Sequence, residues 1–176
     1  FMFSTGDFSI VVWAKLPRGF LDRETILLSR HASGSINGYF VHINNTSAYG
    51  QPGKAAFYFG SLSHGLVGRP LVTDGEWHQI VVVYCAAGRI TLYVDGAVAG
   101  VFEGHAPITQ NNAPFLVGGL TYGGRPRGTF TGWIDELRLY SSPLTAAQVQ
   151  ALYRQPSGAG SSTPHGPAPV GATQPP

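Results

Sequence analysis

The segment from Asp74 to Gly96, DGEWHQIVVVYCAAGRITLYVDG, restricts the fold of this chain more than any other. Ile80, Val82 and Tyr84 alternate with Val81 and Val83, so a strand through them is apolar on both faces. Such a strand has to be covered on both sides, which predicts a central place in a layered sheet protein. The chain turns through Cys85-Ala86-Ala87-Gly88 and returns with Ile90, Leu92 and Val94 alternating against Thr91 and Tyr93. Asp95-Gly96 then supplies the favoured pair for a two-residue type I′ turn, because both central residues need positive φ.

The flanking sequence repeats this pattern of short strands and turn residues. FSIVVWAKL at 8–16 has a wholly apolar face, and Pro17-Arg18-Gly19 stops it. TILLSR at 25–30, GYFVHI at 38–43 and KAAFYFG at 54–60 are further strands, while Pro70 makes any strand over 66–72 an edge. AVAGVFEG at 97–104, FLVGG at 115–119 and TFTGWIDELRLY at 129–140 complete the set, with LTYGGRPRG read as a glycine-rich loop between the last two. One helix is expected, over AAQVQALYR. Thr145 and Gln148 form a capping box there, and Leu144 and Val149 occupy the positions of a hydrophobic staple. Strands at short intervals with almost no helix predict an all-β protein, an antiparallel two-sheet β-sandwich or jelly roll.

Composition limits what such a domain does. Only 11% of the 176 residues are charged, about half the ordinary share, beside 24 Gly and 13 Pro. The eleven Lys and Arg are scattered and the net charge is +2, so the basic stripe of a nucleic-acid binder is missing. No apolar run approaches the ~20 residues of a membrane-spanning helix. Cys85 is the sole cysteine, which rules out an intrachain disulfide. It has no sequence-adjacent Lys or Arg to activate it and reads as a small hydrophobe at a strand end. The chain divides into a sandwich over 1–154 and a Pro/Gly/Ser-rich linker over 155–176. It reads as a piece of a longer protein, joined through that linker to covalently attached neighbouring domains.

DGEWHQIVVVY, GRITLYVDG, FLVGG and GWIDELRLYSSPLTAAQVQALY, in that order and spacing, resemble the laminin-G-like jelly-roll domains of the concanavalin A-like lectin/glucanase superfamily in their bacterial form. The resemblance covers about residues 7–154. It implies two antiparallel sheets packed face to face, a C-terminal helix lying outside them, and an extracellular or cell-surface protein. Members of the family carry a strand or two before the segment matching FSIVVWAKL. Their absence here implies that the first strands are missing and an edge is unpaired.

Three chemistries are compatible with a sandwich of this kind. Glycoside hydrolysis needs two carboxylates facing one cleft, whereas Asp135 and Glu136 are neighbours on a strand and should point to opposite faces. The reading is therefore a non-enzyme. The resemblance implies a structural Ca²⁺ at the sandwich rim in some relatives, with Asp135 the candidate ligand. The segment LTYGGRPRG does not match a pentraxin-type pair of calcium sites, and the histidines lack zinc-ligand spacing. No other cofactor is implied.

Carbohydrate recognition needs exposed aromatic faces and polar forks. Tyr122, Arg125 and Arg127 offer both in the loop 118–128. His64 and Arg69 offer them around 61–69, with Tyr39, His42 and Tyr58 on strands that could shape a concave face. The expected function is a non-catalytic binding module for a glycan within a larger secreted or surface protein. A structural or adhesion module with a protein ligand is the alternative, and a glucanase-type hydrolase stands third.

Overall fold

The computed structural model describes residues 6–19, 25–31, 38–44, 52–60, 65–104, 108 and 111–155. It is built from two five-stranded antiparallel sheets. The first contains β1 (Phe8–Lys15), β6 (Trp77–Cys85), β7 (Arg89–Val94), β8 (Ala97–Glu103) and β12 (Trp133–Tyr140), in the order β12-β1-β6-β7-β8. The second contains β2 (Thr25–His31), β3 (Gly38–Asn44), β4 (Lys54–Phe59), β5 (Gly65–Leu71) and β9 (Leu116–Val117), in the order β5-β4-β3-β2-β9. The fold is an all-β sandwich, as the sequence implies.

Strand β6 holds the predicted central place, between β1 and β7. Its two apolar faces meet different partners. Ile80, Val82 and Tyr84 enter the core between the sheets with Ile10, Val41 and Phe57, while Val81 and Val83 pack outward with Val11, Tyr93, Leu144 and Val149. The outer cover is α1 (Ala146–Arg154), capped by Thr145 and Gln148 in the predicted reciprocal pair of bonds. Leu144 and Val149, the staple residues, lie in one buried cluster. The Ser9 hydroxyl ties the segment before the helix to β1, donating to the Ser142 carbonyl at 2.9 Å and accepting from the Leu144 N–H at 2.9 Å. Near the end of the helix, Tyr153 stacks on Trp13 with ring centroids 5.7 Å apart.

The turn after β7 has Asp95 at φ 53° and Gly96 at φ 74°, the type I′ conformation that Asp-Gly predicts. A side chain at position 96 would also press on the Tyr153 ring, 3.1 Å from its Cβ. Pro70 lies on β5, an edge strand as expected. Strand β12 is the other sheet's edge and pairs with β1 alone among the described residues. The segments 1–5 and 156–176 lie outside the described residues.

Two expectations change. LTYGGRPRG is a small hairpin, with β10 (Leu120–Tyr122) paired to β11 (Arg125–Arg127). Strict alternation also fails in β12, where Glu136 has φ 50° and the register against β1 jumps from Val11–Arg138 to Trp13–Asp135. This is a β-bulge, so the claim that adjacent Asp135 and Glu136 must point to opposite faces loses its basis at that point.

Candidate functional site

The hairpin β10–β11 carries the side chains that the sequence singles out, and the second sheet holds it in place. Gly123 (φ 57°) and Gly124 (φ 73°) make its two-residue turn. At its base the Ile26 N–H donates to the Gly128 carbonyl, the Gly118 N–H donates to the Leu27 carbonyl, and the Ser29 hydroxyl donates to the Gly119 carbonyl, each at 2.8 Å. Both legs are thereby stitched to β2.

Directly opposed residues of an antiparallel pair share a face. Leu120 opposes Arg127 and Tyr122 opposes Arg125, so these four lie on one side of the hairpin and Thr121 and Pro126 on the other. Leu120 packs on Ile26, Phe40 and Tyr58, on the outer face of the second sheet. The face bearing Tyr122, Arg125 and Arg127 is therefore the one turned toward that sheet. Toward the tip these three side chains are exposed, Tyr122 by 52%. The Arg127 guanidinium lies over the Tyr122 ring, 5.4 Å from its centroid.

Arg125 and Arg127, like Arg69 on β5, differ from the three remaining strand arginines. Arg89 is paired with Glu103 at 3.0 Å, Arg138 is paired with Glu136, and Arg30 donates to the Asn111 carbonyl. Arg125 and Arg127 form no ion pair among the described residues, and no Asp or Glu stands in the sequence between Glu103 and Asp135.

Beneath the hairpin, the outer face of the second sheet is aromatic. Phe40 and Tyr58 stack at 5.1 Å, and His42 lies 5.3 Å from Phe40 and 5.0 Å from Tyr58. His42 is 2% exposed, and neither of its ring nitrogens has a hydrogen-bond partner among the described residues. Burial drives its pKa down to about 4. The Ile43 backbone offsets a small part of this without reaching hydrogen-bond geometry.

The remaining candidates are not gathered at one place. Tyr39 is corrected from a surface platform to a core residue. Alternation along β3 sends Tyr39, Val41 and Ile43 inward and Phe40 and His42 outward, and Tyr39 packs between the sheets against Phe8 and Phe57. Burial raises its hydroxyl to about 12 against the opposing pull of Arg30. Tyr58 has the expected outward direction but is 5% exposed, so it floors the face and offers no open ring. Arg69 is exposed on β5, with β4 and β3 between it and β2, where the hairpin is anchored. His64 lies outside the described residues.

Asp135 has a local role. Its Oδ1 accepts the Glu136 N–H at 2.8 Å, and the neighbouring Glu136 carboxylate is bonded to Arg138. Calcium requires six to eight oxygens. Among the described residues no group of three or more His, Cys, Asp or Glu side chains comes together there or elsewhere.

The bonds of His78 are those of a scaffold residue. Its Nδ1 and Nε2 reach Asp95 Oδ2 at 2.7 Å and Asp74 Oδ1 at 3.0 Å. Burial pulls its pKa down, but the bonds to Asp95 and Asp74 and their charges outweigh this and raise it to about 9. Cys85 is not free of cationic neighbours as its sequence context suggested, because Arg89 is its cross-strand partner. Burial and Asp7 nonetheless push the thiol up against the pull of Arg89.

The laminin G-type family of the concanavalin A-like lectin/glucanases superfamily matches residues 1–150. The chain belongs to this family. No curated protein matches it. Solved structures share the fold at low identity. One is domain 4 of AbnA, an extracellular GH43 arabinanase from Geobacillus stearothermophilus, in complex with arabinotriose. It has a TM-score of 0.64 and 22% identity, over 86% of this chain and 68% of that one. Another is the CBM40 module of the Ruminococcus gnavus IT-sialidase, solved free and bound to sialyllactose. Its TM-score is 0.68 at 14% identity, over 85% of this chain and 84% of that one. A third is a SAP-like pentraxin from Limulus polyphemus, with a TM-score of 0.65 and 17% identity over 85% and 70% of the two chains. No helix among the described residues is long and apolar enough to cross a membrane.

Proposed function

We propose that this domain is a non-catalytic carbohydrate-binding module of a larger extracellular protein. Its ligand sits on the exposed side chains of the hairpin β10–β11. The observation that carries the reading is the hairpin itself, which presents Tyr122, Arg125 and Arg127 on a single face turned toward the sheet. An exposed ring and two guanidinium forks on a base bonded to β2 combine a platform for a sugar ring with donors for its oxygens. Similarity to modules solved with arabinotriose and with sialyllactose supports the same reading.

The test is affinity electrophoresis against a panel of plant, bacterial and host polysaccharides. Retention should fall at least about tenfold in a Tyr122→Ala/Arg127→Ala variant, the range expected for losing a stacking contact and a charged donor. The melting temperature should hold, because both side chains are exposed. An absence of retention on every glycan would overturn the reading in favour of a protein ligand. Retention unchanged by the substitutions would move the site off the hairpin.

A further inference from the structure

We infer that the ligand is an acidic glycan, one whose sugar rings carry an oxyanion group, and that Arg125 and Arg127 bind that group. The inference rests on the carbohydrate reading above and narrows it to a chemical class.

The argument begins with charge balance. Among the strand arginines, Arg89 and Arg138 are paired with carboxylates and the buried Arg30 donates to a carbonyl, whereas the exposed Arg69 has no ion pair among the described residues. Arg125 and Arg127 have no such ion pair among the described residues, and the sequence from 104 to 134 contains no acid to provide a neighbouring one. The domain as a whole is only +2, so this positive charge is a local feature of the hairpin and not a share of a general basic surface.

Geometry adds a second step. Arg125 and Arg127 alternate on β11, so both leave the same face, roughly 7 Å apart along the strand. Placing the Arg127 guanidinium over the Tyr122 ring limits its rotation and leaves the N–H groups around its rim free to donate. Arg125 stands directly across from Tyr122. A planar fork of donors beside an aromatic ring suits a sugar that offers an apolar ring face together with a carboxylate or sulfate, since these anions accept paired N–H donors. A neutral sugar would leave two desolvated cations without a countercharge from the described residues.

The experiment compares polymers of matched backbone: polygalacturonate with its methyl-esterified form, and dextran sulfate with dextran. Binding to the intact domain is measured by calorimetry at low and at high salt. At least one anionic polymer should bind about tenfold or more tightly than its neutral counterpart, and the preference should shrink as salt screens the charges. An Arg125→Gln/Arg127→Gln variant should lose that preference at an unchanged melting temperature. Arg125→Lys/Arg127→Lys should recover only part of it, because an ammonium cannot make the paired bond.

Preference for polygalacturonate identifies a carboxylate, and preference for dextran sulfate identifies a sulfate ester; either upholds the inference. Equal binding to charged and neutral partners, or an unaltered preference in the double variant, overturns it while the carbohydrate reading survives. Equal binding to single-stranded DNA also overturns it, as indiscriminate polyanion attraction. If neither these polymers nor any neutral glycan is bound, both readings fall.

Discussion

His78 and His42 are both less than a tenth exposed, and they illustrate opposite ways of burying an imidazole in one sandwich. His78 is the second residue of β6, at the rim of the first sheet, where the loop before the strand supplies Asp74 and the turn after β7 supplies Asp95. Both ring nitrogens are answered by carboxylates, and the charged form is favoured. His42 lies in the middle of β3, among Phe40 and Tyr58, and has no partner for either nitrogen among the described residues. Its neutral form is favoured. What separates them is position on the sheet, since strand ends meet the polar turns of their neighbours and strand centres meet other side chains. One site is a closed electrostatic unit. The other is an unsatisfied polar group on the face over which the candidate binding hairpin is anchored, and it costs stability wherever it is retained.

The largest consequence concerns His42 at acid pH. Its folded-state pKa of about 4 lies below the ordinary value of 6.5. Between these values the unfolded chain takes up a proton that the folded chain refuses. Stability is therefore complete above pH 6.5 and falls as pH drops toward 4, by about 3 kcal/mol. His42→Leu should remove this acid loss and add about 1 kcal/mol at pH 7, by eliminating two unsatisfied nitrogens while filling a similar volume. Urea unfolding at pH 4.5 and pH 7 measures both. A parent domain as stable at pH 4.5 as at pH 7 would mean that the imidazole has a partner in solution, and the contrast with His78 would disappear.

For His78 the sign is reversed. Its folded pKa of about 9 stands above 6.5, so its contribution is complete below pH 6.5 and is lost as pH rises through 9. With Asp74 47% exposed and screened by water, the loss should be on the order of 2 kcal/mol. His78→Gln should be less stable than the parent at pH 6 and nearly equal to it at pH 10. A constant difference across that range would show that packing, not charge, is what His78 contributes.

The contrast was only partly legible in the sequence. The two-faced apolar pattern of β6, the Asp-Gly turn and the Thr145–Gln148 box are local signals, and each formed where it was expected. The direction of Tyr39 was legible too, since alternation with Val41 and Ile43 places it inward. It was grouped with Tyr58 by residue type, against the parity. The hairpin β10–β11 reads as a loop in the sequence because strands of three residues carry no periodicity, although Gly-Gly flanked by Tyr and Arg is a hairpin signal. The bulge at Glu136 had no glycine to mark it. That His42 would be buried without partners depends on which residues from distant strands surround it, and a single strand's pattern does not contain that information. The same holds for the pairing of Asp74 and Asp95 with His78.

The smallest effect separates charge from shape within the His78 unit. Asp95 performs three tasks: it adopts φ 53° in the turn, accepts the Gln79 N–H at 3.0 Å through Oδ1, and accepts from His78 through Oδ2. Asn-Gly is as well suited to a type I′ turn as Asp-Gly, and an asparagine carbonyl can still accept one of the two bonds. Asp95→Asn should therefore preserve the turn and remove only the charge. The expected cost is about 1 kcal/mol at pH 6, the difference between a charge-assisted bond and a neutral one. It should vanish above pH 9, where His78 is neutral in the parent as well. NMR titration of the His78 ring protons should show its pKa moving down from about 9 in this variant, with His42 unchanged near 4. If both histidines shifted together, the two regions would be coupled through the core. The opposite pH limbs would then belong to one transition, not to two independent sites.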